Sequence, residues 1–390
     1  MKDKILVTGI GLVSSLGDSL ESFWSGLMKP VNLPREIEYL KESKGETASG
    51  FAVECISAAD SSFDRIYEMG KQAILAVLKD WGGSISEQKR VCLVVGSGLG
   101  HSDSVLYHSS SGYYADSFVK LGDRLAGVIS DKCENIYIAN ACSAGAQAIS
   151  YGMDLLEFDE FDFVIAGGID ILSNIAYSGF LRLNAIDFTG CKPFSRDRKG
   201  IVVGEGAAFF LLEKHSKVFE KECKVYCEMC GAGITNDAFH VVQMNQDARQ
   251  IVAAMGQALD EARLEKEDID LIVAHGTGTM LNDRIEAKAI NDFFEDSLAS
   301  FYVTSNKGAI GHTGGASGAF GLLTAIGSMN YKCIPPICNC HNYDPQICIP
   351  LVLNNKIKTD VSCVMINTFA FGGTNVIVIC KKFIGSDYRL

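Results

Sequence analysis

Short apolar runs, each closed by glycine or a polar turn, recur along the chain between stretches whose apolar positions repeat every three to four residues. In the first half these runs are Ile5–Thr8, Val91–Val95, Ile136–Ala139, Phe163–Ala166 and Ala207–Leu212. Their length and β-branched content predict strands, and the helical patterns between them predict alternating α/β units. The second half repeats the order with Val225–Met229 before the glycine turn GAGITND, then Leu271–Ala274, Phe301–Thr304, Ser362–Ile366 and Val376–Cys380. The third strand of each half runs into a turn and a small-residue helix, ANACSAGAQAI in one and TSNKGAIGHTGGASGAFGLLTAI in the other. This parallel predicts a duplication, although the letters of the two halves differ too much to carry it alone. The seam is expected in the polar stretch from His215 to Lys224, dividing the chain into halves 1–218 and 219–390.

The stretch YIANACSAGAQAIS, Tyr137 to Ser150, places Cys142 where a strand stops and a helix opens. A thiol there faces the free N–H groups and positive end of the helix, which favour the thiolate. Ala141, Ser143, Ala144 and Gly145 are small enough to let a substrate carbonyl reach the sulfur. Such a turn has the form of a nucleophile elbow. Buried cysteines are also common core residues, so the stretch alone leaves both readings open.

Composition narrows the classes. With 35 basic and 47 acidic residues the net charge is −12, which disfavours nucleic acid and anionic membrane as partners. The 14 cysteines follow no disulfide framework and no zinc-site spacing, so free thiols in a reducing compartment are expected. Cys338, Cys340 and His341 resemble a metal cluster, but Pro335, Pro336 and Pro345 mark a loop and no second ligand pair follows. No run is long and apolar enough to span a bilayer, and no cleavable signal is recognisable, so a cytoplasmic protein is expected.

Three further clusters sit where second-half strands end: His275 in AHGTGT, Lys307 and His312 in NKGAIGHTGGASG, and the loop TFAFGGTN. Strand ends of open α/β sheets are where ligands bind. Taken singly each cluster could be an ordinary turn. Taken in order, NACSAG with Cys142, AHGTGT, SNKGAIGHTGGASG and FAFGGTN resemble the β-ketoacyl-acyl carrier protein synthases of the decarboxylating Cys-His-His type. KPFSRDRKGIVVGEGAAFFLLE, from Lys192 to Glu213, is similar to the same family, and the resemblance runs through nearly the whole chain.

The resemblance implies the thiolase fold, two duplicated α/β halves in a five-layered α-β-α-β-α core. The half 1–218 would carry the nucleophile and the half 219–390 the two histidines. It implies decarboxylative condensation of an acyl group held on Cys142 with a malonyl carrier, elongating a fatty-acid or polyketide chain. His275 and His312 would donate hydrogen bonds to the malonyl thioester oxygen. Backbone N–H groups of Cys142 and Phe371 would form the oxyanion hole, with Phe369 and Phe371 in the gate. Lys307 and Glu286 match a buried charged pair, assigned to orienting the histidines. Thr277 and Thr279 match hydroxyls that bind the pantetheine arm. Lys120, Arg124, Arg196, Arg198 and Lys199 are the candidates for docking the carrier. No cofactor is expected beyond the phosphopantetheine of that carrier, and the assembly is a homodimer or a heterodimer with a ketosynthase-like subunit. Two departures stand out: Ala370 replaces a gate glycine, and Asn140 replaces a threonine before the thiol. The competing readings are a non-catalytic chain-length subunit, which would lack Cys142, and a thiolase acting on coenzyme A esters, which would need a second cysteine near the C-terminus.

Overall fold

Most of the main strands, β1, β4, β6, β7, β13 and β14 among them, are buried on both faces because each face has its own helical layer to cover it. The computed structural model describes residues 3–41, 47–56, 61–83, 85, 88–103, 116–218, 224–298 and 300–384. The strands are β1 (Ile5–Ser14), β2 (Arg35–Lys41), β3 (Thr47–Gly50), β4 (Val91–Ser97), β5 (Glu134–Ala139), β6 (Phe163–Asp170) and β7 (Gly206–Lys214). They continue as β8 (Cys227–Asn236), β9 (Leu271–Val273), β10 (Tyr302–Thr304), β11 (Cys333–Ile334), β12 (Ile357–Lys358), β13 (Cys363–Phe369) and β14 (Thr374–Lys381). Short pairs β2–β3 and β11–β12 stand apart from a sheet of ten strands ordered β10-β9-β13-β14-β8-β1-β7-β6-β4-β5.

That order contains a repeat. Counting the five strands of each half along the sequence, both read 3-2-4-5-1 from the outer edge inward. The pairing directions match as well: parallel at β4–β5 and β4–β6, and at β9–β10 and β9–β13. The halves join through the antiparallel contact of β1 with β8, limited to Ile5, Leu6 and Val7. The expected seam includes residues 219–223, which lie outside the described residues.

The helices are α1 (Leu20–Leu27), α2 (Ser62–Trp81), α3 (Asp116–Ile129), α4 (Ala144–Glu157), α5 (Asn174–Arg182), α6 (His215–Val218), α7 (Arg249–Ala262), α8 (Met280–Phe294), α9 (Lys307–Ile310) and α10 (Ser317–Tyr331). Alternation along the strands sorts side chains between layers. On β7, Ala208, Phe210 and Leu212 enter a central core, while Ala207, Phe209 and Leu211 face α2 and α3. On β14, Val376, Val378 and Cys380 enter the same central core, while Ile377 and Ile379 face α7 and α8. The centre is filled by α4 and α10, and α10 is buried on all sides from Ser317 to Met329. The result is five layers, helix, sheet, helix, sheet, helix. Among the described residues no helix is long and apolar enough to cross a membrane.

Two expected turns are strand instead. The glycines after Thr8 and those of GAGITND lie inside β1 and β8, which run on to Ser14 and Asn236. The reason is close packing of the outer helices. A Cβ at Gly11 would collide with Ala73 O of α2, and one at Gly233 with Ala254 O of α7. Gly233→Ala should therefore cost about 1–3 kcal/mol or more in denaturant unfolding, whereas Gly127→Ala, with open space around it in α3, should gain roughly 0.5–1 kcal/mol. Equal stabilities of the two variants would refute the close-approach explanation.

Candidate active site

Strand β5 ends at Ala139, and the chain turns through a short 3-10 segment, Ala141–Ser143, into α4. Ala141 holds φ at +42°, an unfavourable value for a residue with a Cβ. Ser143 secures the turn, its N–H and hydroxyl both donating to Asn140 O at 3.2 and 3.0 Å. Cys142 is thereby held at 8% exposure at the end of a cavity of about 350 Å³. Phe180, His275, His312, Phe369, Ala370 and Phe371 line this cavity with it, and Thr277 and Thr279 also reach it.

His275 follows β9, and its backbone is clamped from two sides. Its N–H donates to Glu286 Oε1 at 2.8 Å, the Gly276 N–H donates to Glu286 Oε2 at 2.8 Å, and Lys307 Nζ donates to His275 O. Glu286 and Lys307 thus meet at His275 rather than acting only on each other. Lys307 Nζ also lies 3.4 Å from His275 Nδ1. An ammonium has only donors, so Nδ1 accepts and the proton of the neutral ring sits on Nε2.

His312 is fixed through its main chain by the segment similar to KPFSRDRKGIVVGEG. Its N–H donates to Val202 O at 2.7 Å, and the Gly204 N–H donates to His312 O at 3.0 Å. The Gly314 N–H donates to His312 Nδ1 at 3.1 Å, with Ser317 Oγ at 3.2 Å from the same nitrogen. This ring too therefore carries its proton on Nε2 when neutral. The two imidazoles lie 5.5 Å apart, centroid to centroid, at an interplanar angle of 85°.

Burial governs the charges. It holds His312 down to about 3, with Lys307 adding to the shift, and places His275 well below its ordinary range with help from Lys307 and His312. It pushes Glu286 up to about 7 against the donors Gly276, Asn367 and His275. Lys307 is lowered by burial, with Glu286 the leading opposing charge. The Cys142 thiol is pushed up to about 12 by burial, opposed by Lys307, reinforced by Asp170, and opposed again by the N–H groups of Cys142 and Phe371. This corrects the expectation of a thiolate favoured by the helix end. Removal from water outweighs Lys307 and the two N–H groups, so the resting group is a thiol.

The Phe369–Phe371 loop closes the β13–β14 hairpin. The Ala370 N–H donates to Thr374 O at 2.9 Å and the Gly373 N–H to Ala370 O at 3.1 Å. Gly372 and Gly373 take positive φ, 88° and 81°, whereas Ala370 does not. The substitution at 370 therefore imposes no left-handed strain in this arrangement. Phe371 is 40% exposed and stands 6.0 Å from the Phe180 ring, which is 6.3 Å from His312.

Thr277 and Thr279 hydroxyls lie 2.9 Å apart, and Thr279 Oγ1 accepts from the Asn282 N–H at 3.4 Å as the cap of α8. Of the docking candidates, Lys120, Arg124, Arg196 and Lys199 are exposed. Arg124 stacks over Tyr67 at 3.9 Å. Arg198 is a correction: it is 3% exposed and donates to Asp344 Oδ2 and Ser195 O at 2.8 and 2.7 Å. A buried, paired guanidinium braces the loop instead of facing a partner. Sequence reading missed Asp170, Phe180, Asn367 and Ser317. Only Asp170 left a signal, as a lone acid ending the apolar run FVIAGGID.

A family model described as Beta-ketoacyl synthase, N-terminal domain, matches residues 2–218, and its C-terminal counterpart matches residues 226–341. Relatives named 3-oxoacyl-[acyl-carrier-protein] synthase 2 from Coxiella burnetii and Vibrio harveyi are each 27% identical, over 98% of this chain and 99% of each relative. Among solved structures, the ishigamide ketosynthase/chain length factor matches with a TM-score of 0.86 at 28% identity, covering 98% of this chain and 100% of that one. A beta-ketoacyl synthase from Burkholderia phymatum matches with a TM-score of 0.86 at 26% identity and the same coverage. The layered, duplicated architecture is the thiolase fold, and with both family domains matched in sequence order the chain belongs to the β-ketoacyl synthase family.

Proposed function

We propose that the protein is a β-ketoacyl-acyl carrier protein synthase that extends an acyl chain by decarboxylative condensation. The observation that carries this reading is one cavity holding a thiol, two Nε2–H imidazoles and two N–H groups at the sulfur. In the first half-reaction Cys142 Sγ attacks the carrier thioester carbonyl, and its oxyanion is met by the N–H groups of Cys142 and Phe371. The pantetheine sulfur leaves and takes up the thiol proton. In the second, malonyl thioester loses CO₂, and His275 and His312 Nε2–H donate to the enolate oxygen. The enolate carbon then attacks the acyl carbonyl, forming the new C–C bond and expelling the Cys142 thiolate. Thr277 and Thr279 face the arm that brings each substrate, and the only prosthetic group required is the carrier's phosphopantetheine.

The competing readings fit less well. A chain-length subunit has no use for a thiol in this cavity. A thiolase needs a second reactive cysteine, and Cys380 is fully buried in the central core.

The carrier is proposed to dock through the exposed cations Lys120, Arg124, Arg196 and Lys199. Pairing of two subunits is proposed at β5, an edge strand that pairs with β4 alone among the described strands and whose Ile136, Tyr137 and Ile138 are only half-buried.

Cys142→Ser should abolish acyl loading from acyl carriers in intact-protein mass spectrometry, although 13 of the 14 cysteines remain. Loading that persists would overturn the nucleophile.

His275→Ala or His312→Ala should slow malonyl decarboxylation about a hundredfold and leave acyl transfer to Cys142 less affected. The opposite ranking would reverse the assigned roles. Because burial keeps His312 neutral down to about 3, against an ordinary value of 6.5, decarboxylation by Glu286→Gln protein, in which the group titrating at about 7 is removed, should stay level as pH falls through 6.5. The unfolded chain does take up this proton below 6.5, so acid weakens folding before it protonates the folded ring. A reversible acid limb centred near 6.5 in that variant would show that the ring is solvated.

Ile138→Asp on the open edge should convert dimer to monomer in sedimentation velocity. An unchanged species would place the interface elsewhere.

A further inference from the structure

We propose that Asp170 is a positioning residue that locks the His312 turn of the second half onto the strand ends of the first. This rests on the reading of His312 as an enolate donor. Asp170 ends β6 and is 4% exposed. Its Oδ1 accepts from Ser97 Oγ at 2.7 Å, the Gly100 N–H at 2.8 Å and the Leu99 N–H at 3.3 Å. Its Oδ2 accepts from the Gly98 N–H at 2.8 Å and from the Gly315 N–H. Five donors converge on one carboxylate, one from the last residue of β4, three from the loop after it and one from the other half of the molecule. These four N–H groups and one hydroxyl favour the carboxylate against burial, which raises the Asp170 carboxyl above its ordinary value.

The connection to the chemistry runs through two adjacent amides. The Gly314 N–H donates to His312 Nδ1 and the next N–H, that of Gly315, donates to Asp170. No side chain intervenes: a Cβ at Gly314 would collide with the carboxylate, and one at Gly315 with the Gly98 backbone. The carboxylate thus fixes the turn, the turn keeps Nδ1 an acceptor, and Nε2 keeps the proton it presents to the cavity. An asparagine there would set an NH₂ donor against backbone N–H donors. The turn would shift, and His312 would be free to exchange tautomer.

Asp170 also acts on the thiol by its charge. The charged groups facing Cys142 are Lys307 and Asp170, of opposite effect, and the titratable groups sensing Asp170 are Cys142 and Tyr137 of β5. Its negative charge opposes formation of the thiolate, so neutralising it eases ionisation of Cys142. Water admitted by looser packing would also favour the thiolate, because burial is the main cause of the raised Cys142 value, so Ser97→Ala, which loosens the same contact and keeps the charge, separates the two effects. The residue therefore has two separable readouts.

The test uses full-length Asp170→Asn and Ser97→Ala proteins. Malonyl-carrier decarboxylation is measured beside the pH profile of Cys142 alkylation by iodoacetamide. Asp170→Asn should slow decarboxylation at least about tenfold while moving the alkylation midpoint to lower pH. Ser97→Ala, which removes one donor and keeps the charge, should slow decarboxylation by less and leave the alkylation midpoint from moving down. A folded Asp170→Asn protein with wild-type decarboxylation, or with an unmoved alkylation midpoint, would overturn the proposal. Nitrogen NMR of ¹⁵N-histidine-labelled wild-type protein gives a measurement independent of that variant's folding: an unprotonated Nδ1 on His312 is expected, and a protonated one would overturn the lock. Wild-type protein that neither decarboxylates nor loads Cys142 would instead sink the proposed synthase activity, with the nitrogen spectrum still deciding the Asp170 contact.

Discussion

The site depends on a backbone-to-backbone contact between the two halves. A Cβ at Gly145, in the first turn of α4, would lie 2.5 Å from Gly315 O, just before α10. Glycine at such positions lets two helix starts approach as close as their main chains allow. Cys142 precedes one helix and His312 the other, so this approach sets the distance between thiol and imidazole. The central layer behind them, α4 with the fully buried α10, holds the approach in place. The residual link between the sheets, three residues of β1 on β8, is too small to do so alone.

Burial then determines which chemical species the site offers. Water is kept from the thiol and both rings, so each is held in its neutral form and the imidazoles act as hydrogen-bond donors. Fixed donors in a dry cavity stabilise developing charge without reorganisation. Glu286 and Lys307 serve this arrangement from behind His275, where the carboxylate takes two backbone N–H groups and the ammonium caps a carbonyl. A charge-paired cluster in direct contact with substrate would be a different kind of site.

All ten main strands were legible in the sequence because each contains a short apolar run, and most of them are buried on both faces. Their ends in β1 and β8 were not, because glycine marks a turn as readily as a helix packed against a strand. The nearest atoms that decide between these, on Ala73 and Ala254, are far away in the chain. Arg198 shows the same limit on the surface. Its neighbours Arg196 and Lys199 are exposed, whereas Asp344, Asp283 and the Ser195 carbonyl together hold Arg198 inward.

The sequence by itself determined the repeated succession of strands and the small-residue turns at Cys142 and before α10, which follow from local sterics and apolar periodicity acting between near neighbours. Its resemblance to the family supplied the roles of Cys142, His275, His312 and the Phe369–Phe371 loop, whereas Phe180 in the cavity wall was not legible. The protonation of the thiol, the tautomers of His275 and His312, the conformation of Ala370 and the role of Asp170 were decided by the tertiary structure. Each depends on desolvation or on a hydrogen bond between segments distant in sequence, such as Gly315 to Asp170 across 145 positions. Electrostatic environment is a property of the assembled interior, and no single stretch of chain contains it.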